Sequence, residues 1–398
     1  MEKRRLPAAV LALSALGFTL GTCEFVIVGI LPDIAAGLNV SLTAVGRLVS
    51  VFAACYAVGT PVITAFMGRI HRFRLLLILL GAFLGVNLVS MLAPGVAILY
   101  VSRMLAALVS GPLTAVAMLY AKDVAQEGHT ARAVSMVYTG FSIASVAGVP
   151  LGTSVCHLLG WRATFALVLA MTLLLIPALL RLLPRDSAAP EQDSGLGRQF
   201  AILRDRRMNA CVLMILLNGS ATYTVYTYLT PILTDVLGVT AAAVSPLLMV
   251  VGLCCLVSNL TSGWMGEHGG LRRLPAVFGF QTVLFALMPW LLCHLISGLG
   301  AVFCMAVCMY MLNTPCQVHA LELAERDYPF AATLCASVLS VSYNFGIAIG
   351  SFAGSSVQGA WGLRWLGIPA AVFALLSLWQ CGGLLKAVGT DGKQQHKS

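Results

Sequence analysis

Charge is scarce in this chain. Asp, Glu, Lys and Arg supply 10% of its 398 residues, against about 25% in soluble globular domains. Hydrophobic residues reach 59% and mean hydropathy is +0.91, which excludes a water-soluble globular protein. Disorder is excluded too, because a chain stays disordered only when it has too few apolar residues to bury. No segment reads Gly-x4-Gly-Lys-Ser/Thr, so the phosphate-cradling loop of an ATP-driven machine is missing. The apolar runs hold almost no carboxylates, and no acid, base and nucleophile gather at one depth, as a membrane-embedded enzyme would need. Soluble sensor domains have no room either. Twelve spanning helices of about 22 residues use about 264 positions and leave about ten for each loop or end.

The net charge of +9 and pI near 9.1 do not indicate nucleic acid, because the basic residues are dispersed among short segments between apolar runs. Nearly all of the twelve cysteines lie within apolar runs, where they act as small packing residues, so no disulfide framework is expected. Cys304 and Cys308 share a helix face without a completing ligand set. No metal and no cofactor are expected. The opening Glu2-Lys3-Arg4-Arg5 and the apolar run to Leu31 imitate a secretory signal, but the run exceeds the ~15-residue limit of a signal core. It is expected to persist as the first span.

What is abundant is apolar length. Stretches suited to spanning occur at 8–31, 43–67, 74–93, 95–121, 133–156, 163–183, 208–232, 242–265, 274–293, 296–320, 330–357 and 364–385. The even number puts both termini on one side. With the termini in the cytoplasm, twenty of the twenty-four basic residues fall on the inner side, three (Arg47, Arg162, Arg364) on the outer side and one, Arg103, within a span. The positive-inside rule therefore predicts cytoplasmic N- and C-termini. The longest non-apolar stretch divides the chain into an N-terminal six-helix bundle over 1–183, a cytoplasmic linker over 184–207 and a C-terminal six-helix bundle over 208–398. The expected fold is an all-α membrane protein with twelve transmembrane helices in two pseudo-symmetric six-helix bundles.

The halves repeat each other. Leu31-Pro32-Asp33-Ile34, followed by Leu38-Asn39-Val40-Ser41, returns 199 residues later as Thr230-Pro231-Ile232-Leu233, followed by Leu237-Gly238-Val239-Thr240. Gly148, Gly152 and Arg162 return 202 residues later as Gly350, Gly354 and Arg364. Six spans per copy give both copies the same orientation, the parallel repeat of rocker-switch transporters, with substrate expected near midplane between the halves.

Gly21-Thr22-Cys23-Glu24-Phe25 with Gly29-Ile30-Leu31-Pro32-Asp33-Ile34-Ala35, then Ala147-Gly148-Val149-Pro150-Leu151-Gly152, then Tyr226-Thr227-Tyr228-Leu229-Thr230-Pro231, resemble the major facilitator superfamily. Within it they are similar to twelve-span drug:proton antiporters of the bacterial arabinose-efflux, purine-efflux and chloramphenicol-resistance branch. The resemblance covers the whole chain. It implies a bacterial inner-membrane exporter acting as a monomer, with Gly148, Pro150 and Gly152 in the exporters' fifth-span antiporter motif. In the loop between the second and third spans Arg69 stands where the superfamily usually carries an acid; the second copy keeps Glu267, with Arg272 and Arg273 following. An acid beside arginines at a helix end can latch helices. The first-half latch is therefore expected to be weaker or to use other partners. Independently of family, glycines and Pro150 in the fifth span allow either close helix packing or bending.

Glu24 lies eight residues before Pro32 and Arg103 nine after Pro94, so both sit about 12–14 Å below the outer surface. A charge at that depth is costly and usually has a task. A carboxylate balanced between burial, which disfavours its charge, and a cation, which favours it, can take up and release a proton. Glu24 and Arg103 are therefore proton-coupling candidates, with a permanent packing ion pair as the structural alternative. At the repeat offset of 199 the equivalent of Glu24 is Tyr223. On the seventh span Asn218, Thr222, Tyr223 and Tyr226 form one polar-aromatic face, suited to holding amphiphilic ligands. Tyr228, nearer the outer end, reads as interfacial belt. Asn87, Asn259, Gln281, Asn313, Gln317 and Asn344 read either as ties between helices or as lining of the cavity.

Together these features predict a proton-coupled efflux antiporter for small neutral or amphiphilic compounds such as a phenicol, a sugar or a nucleoside or purine. The alternative is an uncoupled facilitator or importer of a small polar metabolite. The expected partners are that small molecule, protons and the lipid bilayer; nucleic acid is not among them.

Overall fold

The computed structural model describes residues 8–67, 71–124, 130–185, 204–328 and 332–395, and among them every regular element is helical. The chain divides into two compact units, Met1–Gln192 with Thr240–Gly252, and Asp193–Val239 with Leu253–Ser398. Seven helices open the sequence: α1 (Ala8–Leu38), α2 (Leu42–Met67), α3 (Arg72–Leu92), α4 (Val96–Asp123), α5 (Thr130–Ile143), α6 (Val149–Leu159) and α7 (Trp161–Leu182). Then follow α8 (Arg206–Tyr226), α9 (Ala241–Glu267), α10 (Gly270–Leu291), α11 (Leu295–Cys308), α12 (Asn313–Asp327), α13 (Ala332–Trp361) and α14 (Gly367–Gln395). Among the described residues eleven helical stretches are long and apolar enough to cross a membrane. The 30-residue α13 occupies the place of the expected eleventh span.

Within the first unit α1 is the hub, packed on α2, α4, α5, α6 and α7. Leu13, Leu16 and Leu20 of α1 meet Leu76 and Phe83 of α3, Tyr120 of α4 and Val168 of α7 in one core. Within the second unit α8 holds the same office, packed on α13, α14 and α12, with Cys211, Met214, Phe278, Cys316 and Leu384 in its core. Lipid tails are as apolar as leucine, so helices in a bilayer associate through close packing and small residues.

That packing reveals the repeat in three dimensions. In the first unit Gly21 abuts Ala144, Gly148 abuts Thr22, and Gly152 abuts Val26; in the second Gly219 abuts Gly346, Gly350 abuts Ser220, and Gly354 abuts Thr224. The offsets are 202 for the fifth and eleventh spans and 198 for the first and seventh. By packing, the equivalent of Glu24 is therefore Thr222, which corrects the assignment to Tyr223 made from the loop motif. The second unit has one more residue between that position and its proline, nine against eight.

The extra residue is absorbed where the seventh span breaks, at Thr227–Tyr228. Pro231 explains the site, because a proline ring clashes with the carbonyl four residues earlier. After a single turn, Leu229–Pro231, the chain continues as a π-helix over Ile232–Val236. The tenth span, expected to be continuous, likewise breaks between Cys308 and Asn313, one turn before Pro315. The backbone N–H groups of Tyr310 and Thr314 donate instead to the Ser258 and Ser262 hydroxyls of α9, at 2.8 and 2.9 Å. In the fifth span Pro150 follows a π-helix at Ala144–Gly148, where the Val149 N–H reaches the Ala144 carbonyl. The equivalent helices of the first unit, α1 with Pro32 and α4 with Pro112, run through unbroken.

Candidate functional site

Arg103 is fully buried in the first unit. One terminal nitrogen donates to the Cys23 carbonyl at 2.8 Å and the other contacts the Cys23 sulfur at 3.4 Å, tying α4 to α1. Two rings flank the guanidinium, Phe52 of α2 at 4.8 Å and Phe165 of α7 at 5.7 Å. Asn87 of α3 accepts from the Cys23 thiol and donates to the Phe83 carbonyl. Helices α1, α2 and α7 thus hold the cation of α4 through a main-chain carbonyl, a thiol and aromatic faces, which offset part of its desolvation.

Glu24, one residue on, is half-buried. It lies within electrostatic reach of Arg103 and of Tyr56 of α2. Among the described residues, however, none forms a salt bridge or a hydrogen bond with its carboxylate. The two predicted residues therefore share a neighbourhood without forming the permanent ion pair of the structural alternative.

In the second unit the predicted face of α8 is buried: Asn218 and Thr222 completely, Tyr223 and Tyr226 almost so. Tyr223 packs edge-on against Tyr226, with centroids 5.3 Å apart, and against Tyr343 of α13 at 6.1 Å. Tyr310, within the break of the tenth span, stands 6.2 Å from Tyr343. An amide chain adjoins these rings. Gln281 of α10 donates to the Cys308 carbonyl at the lip of the break, its own oxygen accepts from Asn218 Nδ2 at 2.8 Å, and Asn218 Oδ1 is left as a buried acceptor without a partner. The main-chain carbonyl sets the polarity of the whole chain, since it can only accept. Tyr228 is wholly buried, with its ring beside Gly354, which corrects the expectation of an interfacial residue.

At the helix ends, Arg69 lies outside the described residues, as does the side chain of Glu267, and Arg272 is exposed at the start of α10. The first unit has another pair, Arg72 with Asp123, joining the start of α3 to the end of α4, with the Tyr120 ring 6.0 Å from the guanidinium. The second has Arg207 between Asp205, at 2.8 Å, and Asp327, at 2.6 Å, joining the start of α8 to the end of α12. Gly148, Pro150 and Gly152 are all buried, the two glycines against Thr22 and Val26 of α1.

Residues 13–333 match the Major Facilitator Superfamily. The chain belongs to that superfamily. It is accordingly a multi-pass membrane transporter of small molecules and not an enzyme. Among its relatives are "Uncharacterized MFS-type transporter YtbD" of Bacillus subtilis, 29% identical over 94% of this chain and 95% of that one, and "Inner membrane transport protein YdhP" of Escherichia coli, 27% identical over 94% and 95%. "Probable sugar efflux transporter" of Helicobacter acinonychis is 28% identical over 93% and 92%. The fold also matches a bacterial homolog to the human lysosomal transporter Spinster, solved inward-facing and occupied, with TM-score 0.78 at 15% identity over 95% and 96% of the two chains.

Two features of the fold have little trace in the sequence. Tyr310 and Tyr343 sit in apolar runs with no adjoining motif; the available signal was Pro315, which marks a break one turn earlier and so a place where a side chain leaves the helical register. Phe52 and Phe165 carry no signal, because phenylalanine in a span reads as packing.

Proposed function

We propose that the protein is a proton-coupled exporter of small neutral or amphiphilic compounds, working by alternating access in a bacterial inner membrane with both termini cytoplasmic, as a monomer. The observation that carries this reading is the state of Glu24: a membrane-depth carboxylate that no described residue pairs, beside a cation already committed to a main-chain carbonyl. Such a group can accept a proton from outside and release it inward without first breaking a salt bridge. The 20 to 3 distribution of basic residues supports the orientation.

The substrate end of the cycle is assigned to the second unit. Its broken seventh and tenth spans supply the irregular backbone that transporters place around ligands. Tyr223, Tyr226, Tyr310 and Tyr343 offer ring surface, and Asn218 Oδ1 offers an acceptor, so a neutral molecule with a hydroxyl or N–H donor beside an apolar or flat face fits this chemistry. The name of the Helicobacter relative, a sugar efflux transporter, is consistent with that class, as are phenicols and nucleosides.

The test is expression in a pump-deficient bacterium against a panel of toxic phenicols, nucleoside analogues and sugar analogues, with and without a protonophore. Protection against at least one class, abolished by the protonophore, is expected. Protection that ignores the protonophore would support uncoupled facilitation instead.

A further inference from the structure

A cavity of about 340 Å³ opens in the second unit where α8 begins and the membrane-spanning part of α14 ends. The two helices pack together, so this is one boundary of the bilayer, away from the tyrosine cluster. Arg206 and Lys386 line it with Trp379, Ala210 and the pair Gly382–Gly383. Around the two glycines there is open space. Asp205, the acid next to Arg206 in sequence, is turned to Arg207 and Tyr328. Among the described residues no carboxylate pairs with Arg206.

The exposed face of α14 leads into this cavity. Val372, Leu376 and Trp379 recur at helical spacing on that face, with Trp379 74% exposed, and the same stripe continues to Gly383 and Lys386. Across the groove, exposed Leu213 lies two turns beyond Arg206 on α8. An apolar lane that ends on a tryptophan, a glycine-made hollow and two cations has the chemistry of a phospholipid: acyl chain along the lane, ring at the headgroup level, phosphate between the basic groups.

We propose that this groove is a binding site for the headgroup of an anionic phospholipid. Arg206 offers a planar fork to the phosphate and Lys386 a point charge. The hollow at Gly382–Gly383 admits the glycerol backbone. The site rests on the chain's being a membrane protein and is independent of proton coupling.

Native mass spectrometry of the full-length protein released from mixed micelles containing equal phosphatidylglycerol and phosphatidylcholine tests it. Preferential retention of phosphatidylglycerol is expected, falling about fivefold for each charge removed in R206Q and K386Q. The charge-keeping variant R206K/K386R should retain the preference and shows that lost binding is not lost folding. Inorganic phosphate at millimolar concentration should not displace the lipid. Equal retention of the two lipids by the unaltered protein, an unchanged preference in R206Q/K386Q, or full displacement by inorganic phosphate would overturn the proposal.

Discussion

The guanidinium of Arg103 is bonded to the main-chain carbonyl of Cys23, at 2.8 Å, and no salt bridge joins it to the carboxylate of Glu24, the next residue. The cation is thereby a fixed part of the first unit, while the acid stays available. These two roles separate experimentally.

Replacing Arg103 should damage the fold. R103A removes a hydrogen bond from a charged donor, worth about 1.5–3 kcal/mol, and empties the space between Phe52 and Phe165. R103K keeps the charge but loses the fork. Thermal melting in detergent should fall most for R103A, less for R103K and hardly at all for E24Q. A melting point for E24Q as low as that of R103A would make Glu24 structural.

The broken tenth span depends on two serines. S258A and S262A leave the buried N–H groups of Tyr310 and Thr314 without acceptors, at about 1–3 kcal/mol each. Both should lower thermal stability, whereas P315A, which restores a helical donor, should keep the protein folded and reduce transport by rebuilding the helix through the break.

Glycine size should matter only at helix contacts. G148V and G350V force a branched side chain against Thr22 and Ser220, an overpacking cost of about 1–3 kcal/mol, and should lower the folded yield. Gly81 of α3 has open space around it, so G81V should be tolerated. Comparable yields across the three would contradict the packing account.

Low pH should loosen the second unit. Burial pushes the Asp205 carboxyl up, but hydrogen bonds from the Arg207 side chain and backbone, with its charge, outweigh this and hold it below the ordinary range. Hydrogen bonds from Arg326, against a small effect of burial, and from Arg207 do the same for Asp327. Depressed carboxylates contribute stability fully above their unfolded value, about 4, and lose it as pH falls through the folded one. Melting scans from pH 6 to pH 3 should show a decline that is shallower in D205N.

Much of this was legible in the sequence. Apolar length and the proline–glycine repeat carried the helices and the duplication, because a bilayer demands continuous apolar runs and close packing demands small residues. Glu24 and Arg103 stood out because charge is rare at their depth. The equivalence of Glu24 with Thr222 was not legible, since the extra residue before Pro231 shifts the loop motif relative to the helix contacts. Tyr343 was hidden for a different reason: its partners Tyr223 and Tyr310 are more than thirty positions away, and only the folded second unit brings them together.

The most direct test of the central claim is proton movement itself. The purified protein, reconstituted in liposomes with a pH-sensitive dye inside, is given a gradient of a compound it exports. The account predicts substrate-driven proton flux that E24Q lowers by at least about tenfold while E24Q still exchanges substrate across the membrane. Undiminished proton flux in E24Q, or substrate movement with no proton flux in the unaltered protein, would contradict it.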